Sequence, residues 1–422
     1  MKILKRNIID MVILSLSLLY ILFMIWAHLF TNIMPQVLIG LMIISLVLMN
    51  KKNIIKNADL ADLVDLIFLS VCLLLLLINI KTTSGVYERK NLERILHSAV
   101  ILIYYSQLIN KKNEFVRNYF KGILPWINIY YVLNLIIMYI QTKGTYFLMD
   151  TVSTGNTYYL DMITGLIGAD GVHCVAIFTV FVILLNLVFL DIKVGQRRKL
   201  SVIYLMITTA FSLFIATQND NNALLILIPL MAVVCLINKT ELNIYNIITK
   251  IWKPVVIVIV AFVGVGVLAN SSSGLFSDIA YRLNLTITSY SITGGTLAAT
   301  DERFRLFSLA LEKGGAWGNG WGSIEMFSDS SINLHFGMAA IQPMIYMGGW
   351  VFYVLFNITM AKIFVGNKPG YLKKWGLLVC ILILMSYFTQ IFIIDRLTYF
   401  MSFLCIAFLM LPNGKDGIAS TE

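Results

Sequence analysis

Long apolar stretches recur along this chain, separated by short polar clusters in which Lys and Arg are frequent. They lie near 8–30, 34–49, 62–80, 94–110, 121–140, 171–190, 200–217, 222–238, 254–269, 337–361, 375–393 and 396–411. A helix needs about 20 predominantly apolar residues to cross about 30 Å of hydrocarbon, the order of length that recurs here. The pattern predicts an all-α polytopic membrane protein with about 12 transmembrane helices. Several connections are too short to be domains, so the helices are expected to form one body. The division of 375–411 into two spans rests on Asp395 and Arg396 alone. The first run is too long for the core of a signal peptide, and no small-residue cleavage site follows it. It is expected to be a retained span.

Composition agrees. The 422 residues are 59% hydrophobic and 13% charged, with a mean hydropathy of +0.83. Ordinary soluble domains are about 45–50% apolar and about 25% charged. A soluble enzyme and a disordered tail protein are both excluded. The net charge of +10 invites a nucleic-acid reading. The basic residues, however, are spread in small clusters between apolar runs, which is the positive-inside pattern of membrane proteins. No nucleic-acid partner is expected. Cys72, Cys174, Cys235, Cys380 and Cys405 lie in or at the edge of apolar runs, where Cys acts as a small hydrophobe.

With the N-terminus inside, about two thirds of the 32 basic residues fall in cytoplasmic segments. The exception is 81–94, an outer loop holding Lys81, Arg89, Lys90 and Arg94. Both termini are expected to be cytoplasmic. The chain then divides into helices 1–9 (1–269), a large extracytoplasmic loop (270–336), helices 10–12 (337–411) and a cytoplasmic tail (412–422). Connections in compact domains usually run about 4–6 residues, so a loop of this size points to function. It holds Trp317, Trp321, Phe327 and Phe336 and a helix-like stretch, Asp301–Lys313. Acidic residues start that stretch and Gly314-Gly315 stops it. A second outer loop, 141–170, is longer than a hairpin needs.

The candidate chemistry gathers in the large loop. Arg282, Arg303 and Arg305 keep their charge at any working pH and suit bidentate grip of a phosphate or diphosphate. His335 stands just before a span, where a neutral imidazole accepts a proton near pH 7. Plainer roles are open to each. An ion pair with Glu302 accounts for Arg305, Arg282 can snorkel to headgroups, and His335 can be an interfacial histidine. Asp10, Asp62 and Asp65 lie near cytoplasmic ends of spans, where water is close, and Asp395-Arg396 reads as a paired turn on the outer face. No HExxH, carboxylate pair or Cys/His cluster stands in the loops, so neither a metal nor another cofactor is expected. The glycines of Gly314–Gly322 suit a tight turn after the helix, with backbone N–H groups available to a ligand.

The segment Asp301-Glu-Arg303-Phe-Arg305 through Glu312, running into Trp317-Gly-Asn-Gly-Trp-Gly322, resembles the Arg-helix-GxG segment of bacterial O-antigen polymerases and ligases, the Wzy-type superfamily. His335 and the span with Gly348-Gly349 stand where that family has a His followed by a glycine-containing span. Two positions depart from the pattern: Ala216–Ala223 lacks the family's Arg, and Phe336 replaces the Asn after the His. The motifs cover about 120 residues of the chain.

The resemblance implies a multi-pass protein of the bacterial cytoplasmic membrane. It implies metal-independent, inverting transfer of a glycan from undecaprenyl diphosphate to a sugar hydroxyl of another lipid-linked repeat unit. Arg282, Arg303 and Arg305 would then hold the diphosphate, and His335 with Arg303 would act in the transfer. Donor and acceptor would be undecaprenyl-diphosphate-linked oligosaccharides in membrane lipid, with a flippase and a chain-length regulator as protein partners. Three other readings stay open: an O-antigen-ligase-type transferase, a flippase or transporter, and a membrane O-acyltransferase.

Overall fold

The computed structural model describes residues 7–23, 33–50, 64–74, 88–148, 163–168, 172–190, 196–218, 224, 227–228, 231, 308–319, 341–365 and 394–410. Every regular element among them is helical. In chain order these are α1 (Ile8–Leu22), α2 (Met34–Asn50), α3 (Val64–Leu74), α4 (Glu88–Gln141), α5 (Val172–Leu190), α6 (Gln196–Gln218), α7 (308–314), α8 (Ile341–Val365) and α9 (Ile394–Leu409). Each of the larger ones matches an apolar run. Leu224, Leu227 and Met231, helical and buried at i, i+3 and i+7, fall in the run 222–238. The runs 254–269 and 375–393 lie outside the described residues.

Two stretches, His97–Gln141 and Gln196–Ala216, are long and apolar enough to cross a membrane. The first contains two of the expected spans, joined by a break instead of a loop. Lys112 leaves the helical region (φ −138°, ψ 36°). Tyr105 and Phe120 then both pack on one ring of α9, their centroids 5.3 and 5.9 Å from Phe403. Fifteen residues of straight helix would hold them roughly 22 Å apart. α4 therefore folds back on itself at Lys112, as an N-terminal arm and a C-terminal arm.

Three elements form the centre. The N-terminal arm is buried continuously over 97–109, α5 over 174–182, and α9 over 398–408. A helix that is apolar all round belongs inside other helices. Phe120, Phe178, Phe181 and Phe403 interlock there, at centroid distances of 5.9 to 6.3 Å. Around this centre the outer helices are apolar on their exposed sides too. Trp126, Ile129, Leu133 and Ile136 line the C-terminal arm of α4, and Leu200, Ile203, Met206 and Ile207 line α6. Water leaves so continuous an apolar exterior uncovered only rarely; such surfaces meet lipid or a partner. The polar groups turn inward instead. Asn128 and Asn186 exchange two amide hydrogen bonds of 3.0 and 2.8 Å between α4 and α5.

Candidate functional site

Arg282, Arg303, Arg305 and His335 lie outside the described residues, as does Asp62. What the structure does describe is the segment that follows the arginines, and how it is held. Residues 308–314 form α7, and the helix ends at Gly314 as its sequence predicts. Leu309 and Ala310 pack it into the core. The turn 315–319 then enters a break in α8.

That break is at Gly349, where the backbone is far from helical (φ 75°, ψ 174°). A broken helix exposes carbonyls on one side of the gap and N–H groups on the other, and buried ones must find partners. The turn supplies both. Trp350 N–H donates to Gly315 O at 3.1 Å, and Val351 N–H to Ala316 O at 3.2 Å. In return Tyr346 O accepts from the Asn319 backbone N–H at 2.9 Å and from Asn319 Nδ2 at 3.2 Å. The same Nδ2 donates to Lys313 O at 2.8 Å. Gly318 N–H closes the turn on Gly314 O at 2.9 Å.

Such close approach of two backbones needs glycine. A Cβ on Gly318 would overlap the Met347 carbonyl, and one on Gly349 would overlap that of Ala316. Both residues also have positive φ, at 71° and 75°. The turn anticipated after the helix is therefore present. The N–H groups of Gly318 and Asn319 are spent on the chain itself, not offered to a ligand, which corrects the expectation for these two residues, while 320–322 lie outside the described residues.

A second polar centre had no such signal. Asp10, expected near water, is 1% exposed. It stands in the first turn of α1, where the helix dipole favours a carboxylate. Ser45 Oγ donates to its Oδ1 at 2.5 Å and Tyr104 OH to the same oxygen at 3.0 Å, while Lys112 Nζ donates to Oδ2. The ion pair joins α1 to the fold of α4, and Ser45 adds α2. Asp65 is likewise buried, with Gln107 Nε2 donating to it at 3.4 Å. Gln107 Oε1 accepts from Lys111 Nζ at 3.2 Å. The bonds to Asp10 span 35 to 102 residues of sequence, so no local motif announces them.

One further expectation changes. Asp395 and Arg396 do not form a turn: both lie in the first turn of α9. The loop after α4 also returns to the bundle. Gly165 N–H donates to Gln141 Oε1 at 2.9 Å and Leu166 N–H to Asn134 Oδ1 at 2.7 Å. Among the described residues no three His, Cys, Asp or Glu side chains gather as a metal site would require. Cys72, Cys174, Cys405 and His97 are buried.

No protein-family model, curated protein or solved structure matches the chain.

Proposed function

We propose that the chain is a polysaccharide repeat-unit polymerase of the bacterial cytoplasmic membrane, with about twelve spans, cytoplasmic termini and its chemistry in the outer loop 270–336. In this reading the acceptor sugar hydroxyl attacks the anomeric carbon of the donor glycan. The new C–O bond forms as the bond from that carbon to the diphosphate oxygen breaks, with inversion. Undecaprenyl diphosphate leaves with the electron pair, and the hydroxyl proton passes to His335. Arg282, Arg303 and Arg305 carry the fixed positive charge that the leaving diphosphate needs, a purpose for which arginines suffice without a metal.

The observation that carries the reading is the docking of the glycine turn in the break of α8. The sequence that resembles the polymerase motif runs directly into this turn, and Arg305 stands only three residues before the described part of α7. Polar loop chemistry is thus tied by short chain segments to the helix bundle. A loop meeting a broken helix is how irregular backbone is accommodated at membrane depth. The apolar exterior and inward polar groups support the membrane assignment.

The test is the size distribution of surface polysaccharide after deletion of the gene in its own host. The expected result is loss of the long-chain ladder, with single lipid-linked units still made and exported. Full-length glycan left on its lipid would mean a ligase, and units trapped on the cytoplasmic side a flippase. Restoration of the ladder by a chain carrying Arg303→Ala would remove that arginine from the mechanism. For His335→Gln, full activity at normal expression would do the same.

A further inference from the structure

We propose that the turn 314–319 is a latch that fixes the loop's C-terminal portion to α8, and that Asn319 is its positioning residue. This deepens the polymerase reading and rests on it for the reaction, but not for the latch itself. The described part of α7 spans 308–314, and isolated helices shorter than about 12–15 residues are marginal without tertiary contacts. Its place is set by Leu309 and Ala310 on the core side and by the turn at its end. Asn319 bridges the last turn of α7 and the first half of α8, through Lys313 O and Tyr346 O.

The break is also not a vacant ligand site of the kind discontinuous helices usually make. The carbonyl of Tyr346 and the N–H groups of Trp350 and Val351 are occupied by the turn. Their occupant is the loop, held at a glycine-lined socket. A loop carrying fixed charges contributes to a transition state only if its geometry is held within a fraction of an ångström. The latch supplies that restraint from outside the reacting groups.

The latch makes a chemically sharp demand on Asn319. Its amide donates to two carbonyls, whereas an isosteric carboxylate only accepts. Asn319→Asp should therefore open the latch despite its identical shape. Asn319→Gln keeps the two donors and should restore it in large part. Gly318→Ala opens it by a different route, through the Met347 carbonyl.

The experiment is trypsin cleavage of the full-length detergent-solubilised protein after Lys313, whose carbonyl Asn319 holds, followed by mass spectrometry of the fragments. Cleavage of a transiently opened site tracks the population of the open form. Asn319→Asp and Gly318→Ala should be cut about tenfold faster than the wild type, the scale of a lost hydrogen bond. Asn319→Gln should stay within about threefold. In the deletion host the two opened variants, at equal expression, should shorten the polysaccharide ladder while Asn319→Gln restores it. Equal cleavage rates in all four proteins would overturn the latch. Faster cleavage with an unchanged ladder, in a host whose ladder the gene deletion abolishes, would overturn the positioning role. A deletion host that keeps its ladder would instead sink the polymerase reading, and the protease result alone would then decide the latch.

Discussion

The turn 163–168 docks against an unbroken stretch of α4, whereas the turn 314–319 docks into the gap of a broken α8. An intact helix has spent its backbone groups on itself, so it can fasten a turn only with side chains. The C-terminal arm of α4 does so with two amides, Asn134 about two helical turns before its end and Gln141 as its last residue. A broken helix has free backbone groups and can fasten a turn by main chain alone. α8 does so at Gly349, with Asn319 as a reinforcing side chain. The first solution demands particular residues on the helix and one glycine in the turn, since Gly165 has a positive φ and a Cβ there would meet the Asn134 side chain. The second demands glycine on both partners and is indifferent to most side chains nearby. A third fastening, the ion pair of Asp10 with Lys112, uses charge instead and closes the fold of α4.

These differences set the order in which substitutions should act on thermal unfolding in detergent. Lys112→Met should cost most, about 3–5 kcal/mol, because it leaves the Asp10 carboxylate buried without its cation. Adding Asp10→Leu to it should recover much of that loss. A double variant no more stable than the single would show that Asp10 matters by its hydrogen bonds to Ser45 and Tyr104 instead. Gly349→Ala should follow at about 3 kcal/mol, from a positive φ combined with a backbone clash. If it were harmless, α8 would tolerate another path and the backbone fastening would be wrong. Asn134→Ala should cost about 2 kcal/mol by leaving the N–H of Leu166 without its acceptor. Trp317→Ala, at an exposed position in the glycine turn, should stay within about 0.5 kcal/mol.

The sequence made these fastenings legible to different degrees. The larger helices were readable because an apolar run of the right length has few alternatives. The fold at Lys112 was readable as a charged interval between two runs, although the joint proved to be a single non-helical residue and not a loop. Gly314–Gly322 announced a turn, and Gly348-Gly349 stood inside the span that follows. What they could not announce was each other, since nothing local says that one glycine segment fills the gap in another. Asp10 was misread for the same reason. A carboxylate near the cytoplasmic end of a span looks solvated, and its three donors come from α2 and α4. Asn134 and Gln141 looked like ordinary polar residues near a span end until the turn from 163 came back to meet them. Residue chemistry and resemblance single out the arginines and His335.

The most direct measurement is reconstitution of the purified full chain in lipid vesicles with an undecaprenyl-diphosphate-linked repeat unit from its own host, in the presence of EDTA. Formation of lipid-linked dimers and longer chains, with undecaprenyl diphosphate released and the activity lost in Arg303→Ala, is the result expected. Repeat units that cross the bilayer unjoined, or remain single whatever their concentration, would contradict it.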